Sequence, residues 1–265
     1  MRCRLAAGYL GLLLGSTLYA ADPHEAIVKA RLHYNRGEFE AAVAAADEAR
    51  LSPDRADSAD LIAARAYLER FRSTAAPEDL TAARERLRRI AADRLALRER
   101  TELAVGLGEA LYFDESAGAA AVVFEIVLSS GDDLLPHERE RVLDWWASAL
   151  DREARPRPEL ERTGIYQKIR DRMTDELRAD SGSATAAYWI AAAARGQGDL
   201  QAAWASAMAG WARAPLTSDQ SADLRGDLDR LVLRGIIPDR ARVLGRPPEK
   251  LLLEWEAFKE KWRRE

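Results

Sequence analysis

Apolar residues recur three and four positions apart along most of the chain, a spacing that predicts amphipathic α-helices. The clearest unit runs from about Ala184 to Pro215, and Gly196 and Gly198 interrupt it between two helices. Its apolar faces consist of Ala187, Ile190, Ala191 and Ala194 on the first helix, and Leu200, Ala203, Ala207 and Gly210 on the second. Two helices joined by a tight turn approach closely only where side chains are small. This segment therefore predicts an antiparallel helical hairpin.

Four further segments carry the same kind of pattern. One spans about Thr101 to Gly131, with Glu115 at its turn, and one spans about Pro23 to Ser52. Two longer units join their helices across a Ser73-to-Pro77 connection and across residues 155–158, where two prolines forbid a continuous helix. Ala, Leu, Arg and Glu dominate the composition, and no run of alternating Val, Ile and Thr indicates a strand. The predicted fold class is all-α.

These hairpins resemble the tetratricopeptide repeat. The segment from Tyr34 to Ala42 is similar to the family's turn, and Pro215 closes its unit as the family's proline does. The matches to the family's two helices in the 101–131 unit are Ala104, Leu107, Gly108 and Leu111, then Ala120 and Phe124. Ala187, Ala194 and Ala207 stand where the family has large residues. The resemblance implies a right-handed α-solenoid over residues 21–215, with a concave groove that binds protein or peptide.

The resemblance also implies which residues line that groove, since they lie one step off the packed face of each first helix. Those residues are Arg31, Tyr34, Arg65, Glu109, Tyr112, Asp144, Tyr188 and Arg195. Their mixture of charge and tyrosine suits an extended peptide or a helical partner.

The tail, residues 216–265, departs from the repeat pattern. Leu224, Leu228 and Leu231 predict one more helix, which Gly235 and Pro238 should break. A last amphipathic helix from Leu251 to Trp262 places Leu252, Trp255, Phe258 and Trp262 on one face. Because a solenoid needs an end cap, we predict a C-terminal capping helix. The alternative is a docking helix that presents Trp255 and Trp262 to a partner.

The N-terminus has the order of a secretory signal. Arg2 and Arg4 precede an uncharged apolar stretch from Leu5 to Leu18, and the small residues Ala20 and Ala21 follow. The stretch is shorter than the roughly 20 residues of a membrane span. We predict cleavage after Ala20, so that residues 1–20 are a signal peptide and the mature protein is periplasmic or secreted. The alternative is an uncleaved N-terminal anchor.

Charge and residue usage narrow the function classes. The formal net charge is −4, and arginines are interspersed with carboxylates, so the chain lacks the basic stripe of a nucleic-acid binder. Its one cysteine, Cys3, lies in the signal segment, and His24, His33 and His137 lack a metal-ligand spacing. We predict no cofactor, no metal and no catalytic residue.

The leading hypothesis is an exported protein–protein interaction scaffold of the cell envelope. A periplasmic hydrolase of cell-wall glycans is one alternative, and it would need two carboxylates across a deep pocket. A permanent structural subunit of an envelope assembly is another, and it would present large exposed apolar patches.

Overall fold

A computed structural model describes residues 23–130, 134–217 and 220–263, so the predicted signal segment lies outside the described residues. The described chain is all-helical, and it contains no β-strand. In chain order the α-helices are α1 (Pro23–Asn35), α2 (Phe39–Ala49), α3 (Ala56–Thr74), α4 (Pro77–Arg89), α5 (Leu97–Phe113), α6 (Ala117–Ser129), α7 (Pro136–Ala154), α8 (Glu159–Ala179), α9 (Ala184–Gly196), α10 (Leu200–Arg213), α11 (Ser221–Leu231), α12 (Ile237–Leu244) and α13 (Pro248–Arg263). Short 3₁₀ turns follow α4, at Ala92–Arg94, and α10, at Ala214–Leu216.

The helices pack in neighbouring pairs. Each helix from α1 to α10 contacts the next one along the chain. In addition, the odd-numbered helices contact one another in sequence, from α1 through α3, α5, α7 and α9 to α11. We call α1, α3, α5, α7, α9 and α11 the inner helices, since together they form one continuous layer.

The α9–α10 hairpin forms where its small residues predicted it. The side chains of Ser183 and Asp199 cap the two helices by accepting hydrogen bonds from the backbone N–H groups of Ala186 and Ala202. Ala191 and Ala203 are fully buried between the helices, together with Ala194 and Ala207. The side-chain caps and the small apolar side chains therefore both stabilise this hairpin.

The α5–α6 hairpin depends on one glycine and tolerates one strained turn residue. A Cβ on Gly108 would lie 2.5 Å from Cε1 of the buried Phe124, so only glycine lets the two helices approach this closely. Glu115, in the turn, has a φ of 60°, a conformation that glycine adopts much more readily than other residues. The turn forms at the predicted position in spite of this substitution.

The connection between α3 and α4 is shorter than predicted. The helix α3 continues to Thr74, and only Ala75 and Ala76 separate it from α4. Ala75 reverses the chain with a φ of 56°, and Pro77 begins the next helix. Because proline is well accommodated at the first position of a helix, a tight turn replaces the expected long loop.

The expected break at Gly235 and Pro238 does not occur. The chain remains helical from α11 into α12 through one π-helical turn, Val232–Ile236. Such a turn widens the hydrogen-bonding ladder locally, and the proline that lacks an N–H follows directly in the first turn of α12. The prediction that the helix breaks at Gly235 and Pro238 was therefore wrong.

The last helix, α13, packs against the preceding helices. Leu251 and Trp255 are fully buried in a cluster with Trp204, Leu228 and Ile236. The Trp255 ring lies 5.7 Å from the Trp204 ring, between ring centroids. Trp255 is thus not available to a partner, which corrects the alternative that it forms a docking surface. Trp262 retains 40% of its exposure.

Among the described helices, none is both long and apolar enough to cross a membrane.

Candidate binding groove

A groove of about 980 Å³ runs along the inner helices from the end of α5 to α12. We call it the groove. Aromatic side chains form much of its wall: Tyr112 on α5, Trp145 on α7, and Tyr188 and Trp189 on α9. Its volume falls at the upper end of the roughly 300–1,000 Å³ that ligand sites occupy, and its length over several helices suits an extended chain.

Side chains that face the groove fix the spacing of α7 and α9. The indole Nε1 of Trp189 donates a hydrogen bond to Oδ1 of Asp144 over 2.8 Å. One turn earlier on α7, the Glu140 carboxylate accepts hydrogen bonds from the Ser183 hydroxyl at 2.6 Å and from the Thr185 backbone N–H at 3.0 Å. These bonds tie α7 to the beginning of α9, so this wall of the groove is preorganised.

The two ends of the groove are built differently. At the α5 end, the rings of Tyr112 and Trp145 meet edge to face with centroids 5.0 Å apart, and the Arg152 guanidinium lies 4.2 Å from the Tyr112 ring centroid. At the α12 end, Nε of Arg195 lies 2.8 Å from Oδ2 of Asp239. Residues of the tail therefore form part of the groove wall.

Carboxylates gather around Tyr188. Burial raises the pKa of the Tyr188 phenol, and the carboxylates of Asp227, Asp144 and Asp151 raise it further. Burial likewise raises the pKa of Asp144, although the hydrogen bond from Trp189 opposes that shift. Arg195 opposes the rise in the Tyr188 pKa, so three carboxylates and one arginine act on this ring, a balance that favours cationic groups.

A small side pocket of about 40 Å³ opens beside the groove, between α3, α5 and α7. We call it the side pocket. Arg141 and Trp145 line both cavities, so the two adjoin. Glu109 lines the side pocket with only 6% of its surface exposed. Burial raises the pKa of its carboxyl to about 7, and although Arg65 and Arg141 oppose this shift, Glu69 adds to it.

A series of ion pairs surrounds this pocket and joins the inner helices α1, α3, α5 and α7. Its bonds are Arg31 Nη2 to Glu99 Oε1 (2.6 Å), Arg65 Nη1 to Glu102 Oε2 (3.2 Å), Arg98 Nη2 to Glu138 Oε1 (2.6 Å) and Arg141 Nη2 to Glu69 Oε1 (2.8 Å). The network pairs four arginines with four carboxylates of the inner layer.

The eight residues predicted to line a groove all lie on inner helices, but they divide into three groups. Tyr112, Asp144, Tyr188 and Arg195 line the groove. Arg65 and Glu109 line the side pocket instead. Arg31 and Tyr34 lie on α1 and line neither cavity; Arg31 is paired with Glu99, and the Tyr34 ring lies 4.8 Å from the Arg65 guanidinium.

Several groove residues were not predicted from the sequence. Trp145 and Trp189 lie next to predicted positions on α7 and α9. The signal that could have found them was the concentration of tryptophan in the C-terminal half of the sequence. Asp227 and Asp239 belong to the tail, which the family geometry does not project onto the groove. Within the described residues, no group of three or more His, Cys, Asp or Glu side chains is arranged to hold a metal ion.

The chain matches no family model, no curated protein and no solved structure.

Proposed function

We propose that this protein is an exported interaction scaffold, which binds a segment of another protein in the groove. On this proposal its hairpins form a tetratricopeptide-like α-solenoid, residues 21–215, and the tail caps the last repeat. The contacts among successive inner helices support the solenoid, because a repeat protein packs each unit only against its neighbours. The burial of Leu251 and Trp255 supports the cap.

The observation that carries the proposal is the groove itself. Its wall offers aromatic rings between charged groups, the combination that is enriched where proteins bind one another. Hydrogen bonds such as Trp189 to Asp144 hold the wall in place before a ligand arrives, which lowers the entropy lost on binding. Six carboxylates line the groove beside five arginines, so it lacks the excess positive charge of a nucleic-acid site.

The experiment is site-specific photo-crosslinking in the source cell. A photoreactive phenylalanine replaces Tyr188 in the groove, and in the matched control it replaces Leu160, which is 87% exposed on α8 and does not line the groove. We expect a discrete crosslinked protein with the Tyr188 probe that is missing with the Leu160 probe. Equal crosslinking at both positions, or none at either, would contradict the proposal.

A glycan hydrolase is the competing hypothesis, since the sequence supplies many carboxylates. Glu109 and Glu69 are both buried beside the side pocket. However, the volume of about 40 Å³ is far below the roughly 300 Å³ at which ligand sites begin, so a sugar ring does not fit between them. The side pocket is therefore too small for a glycan site, and for the groove we propose a binding role without catalysis, cofactor or metal.

A permanent structural subunit is the remaining alternative, and exposed apolar side chains at both ends of the fold favour it. Val28 and Leu32 are 55% and 46% exposed on α1, and Leu253 is 69% exposed on α13. A permanent assembly would sediment as one complex with its partner at nanomolar concentration, whereas a scaffold that exchanges partners would dissociate.

A further inference from the structure

We propose that the side pocket receives the ammonium group of a lysine, carried by the segment that the groove binds, and that Glu109 is its counter-charge. This inference rests on the proposed function for the source of the lysine. The pocket itself can be tested without it.

The first ground is the state of the Glu109 carboxyl. Only 6% of its surface is exposed, and within the described residues no hydrogen bond or ion pair is formed to it, although Arg65, Arg141 and Arg72 are near enough to oppose the rise in its pKa. A buried carboxyl that lacks a bonded partner destabilises the folded state. A ligand that donates a hydrogen bond there would offset that effect.

The second ground is that the other lining carboxylates are already paired. Glu102 accepts hydrogen bonds from Arg31 and Arg65, and Glu138 accepts one from Arg98. Glu109 alone among the carboxylates lining the side pocket in the described chain has no cation bonded to it.

The three arginines that line the pocket, Arg65, Arg98 and Arg141, each form an ion pair with a carboxylate other than Glu109, although Nε of Arg65 has no hydrogen-bond partner. Arg65 is directed to Glu102, and Arg141 is directed to Glu69 at 2.8 Å. Glu69 also pairs with Arg72 at 2.6 Å. Their positive charges are therefore partly offset by carboxylates, which leaves Glu109 able to accept a hydrogen bond from an ammonium.

The third ground is the shape of the pocket. Apart from Thr101, its uncharged walls are Val105, Leu134, Val142 and the Trp145 ring. A lysine side chain has an aliphatic stem that packs on such walls and a compact ammonium that needs a carboxylate at the end. A space of about 40 Å³ accommodates that head group.

The position of the pocket agrees with a bound segment. Because Arg141 and Trp145 line both cavities, a chain lying in the groove passes the pocket mouth. Six carboxylates and five arginines line the groove, and the three carboxylates that act on Tyr188 favour a basic residue at that point.

The test uses n-butylammonium chloride, which reproduces the lysine side chain, and follows the Glu109 carboxyl carbon by ¹³C NMR in the full mature chain. The Glu109→Gln variant identifies that signal. The charged and titratable groups that face it are Tyr34 on α1, Arg65, Glu69 and Arg72 on α3, and Arg141 on α7. We expect saturable binding that lowers the Glu109 pKa from about 7 by about one or more.

Two controls decide the outcome. Sodium chloride at equal ionic strength, or the neutral butyramide at equal concentration, should leave the Glu109 pKa unchanged. The same shift with sodium chloride would show screening only, and the same shift with butyramide would show a site for neutral amides, so either result overturns the proposal. No response to n-butylammonium would also overturn it.

A peptide arm separates this inference from the proposed function. Peptides that bind the groove are resynthesised with each lysine replaced by norleucine, which keeps the stem and removes the charge. If the pocket binds lysine, one replacement weakens binding at least tenfold to the wild-type chain and by less than twofold to Glu109→Gln. Groove binding that is insensitive to every replacement would refute the lysine pocket and leave the proposed function standing.

Discussion

The indole Nε1 of Trp255 donates a hydrogen bond to Oδ1 of Asp229 over 2.8 Å and thereby joins the last helix to α11. The same indole lies against Trp204, and the Phe258 ring stacks on it with centroids 5.5 Å apart. The C-terminal helix is thus part of the core that also contains the second half of the α9–α10 hairpin.

Replacing Trp255 by Ala should lower the free energy of unfolding by about 3–5 kcal/mol, because it removes a fully buried aromatic side chain and leaves a cavity. The matched control is Trp262→Ala on the same helix. Since Trp262 is 40% exposed, its loss should cost about 1 kcal/mol or less. Urea denaturation of both variants checks this, and equal losses would contradict a capping role for α13.

Two glycine-to-alanine changes should have opposite effects. A Cβ at Gly108 would approach Phe124 to 2.5 Å, so Gly108→Ala should destabilise the protein by about 1–3 kcal/mol through overpacking. Gly164 lies inside α8 with nothing within 4 Å of its Cβ position, so Gly164→Ala should stabilise by about 0.5–1 kcal/mol. Thermal or urea unfolding gives both signs. Destabilisation by Gly164→Ala would contradict an open surface around this position of α8.

The predictable part of the fold was local. Small residues and the caps at Ser183 and Asp199 determine the α9–α10 hairpin within one stretch of sequence, and the prolines at 156 and 158 similarly separate α7 from α8. The π-helical turn at Val232–Ile236 could not be predicted in this way. Gly235 there packs against Arg195, where an added Cβ would lie 2.7 Å from the guanidinium carbon. That contact joins residues 40 positions apart.

The same distinction applies to the candidate site. Tyr112, Asp144 and Tyr188 follow from the periodicity of the first helices once a repeat geometry is assumed, and they do line the groove. The burial of Glu109 depends on α3 and α7 closing over it, and the contribution of Asp239 depends on how the tail folds back. Long-range packing decides both, and one sequence carries no signal for it.

The buried Glu109 predicts a pH dependence of stability. In the folded chain its pKa is about 7, against 4.5 for an ordinary glutamate, so between these values the folded state binds more protons than the unfolded state. The free energy of unfolding therefore falls as the pH rises through this window. Glu109→Gln abolishes this contribution, and relative to wild type it should gain about 1–3 kcal/mol between pH 5 and pH 8.

Urea unfolding at a series of pH values measures that difference. Other titrating groups, such as Asp144, are present in both proteins and cancel in the comparison. The control is Glu48→Gln on the exposed face of α2, which should track wild type at every pH. Parallel curves for wild type and Glu109→Gln would show that Glu109 is not desolvated in solution.

Export can be tested at the N-terminus. The basic start and apolar stretch predict that the protein leaves the cytoplasm and that its mature form begins at Ala21. Mass spectrometry of the protein from the envelope fraction gives its first residue. Leu13→Arg, which interrupts the apolar stretch, should leave the full precursor in the cytoplasm. An envelope protein that still begins at Met1 would instead support the uncleaved anchor.

The most direct test of the central claim is to pan a random dodecapeptide phage library against the mature chain and measure the dissociation constants of the recovered peptides. If the groove is the binding site, the double variant Tyr112→Ala and Tyr188→Ala should weaken them at least tenfold, whereas Leu160→Ala on the outer surface of α8 should change them by less than twofold. Peptides that bind the double variant as tightly as wild type would place the binding site elsewhere and contradict the account.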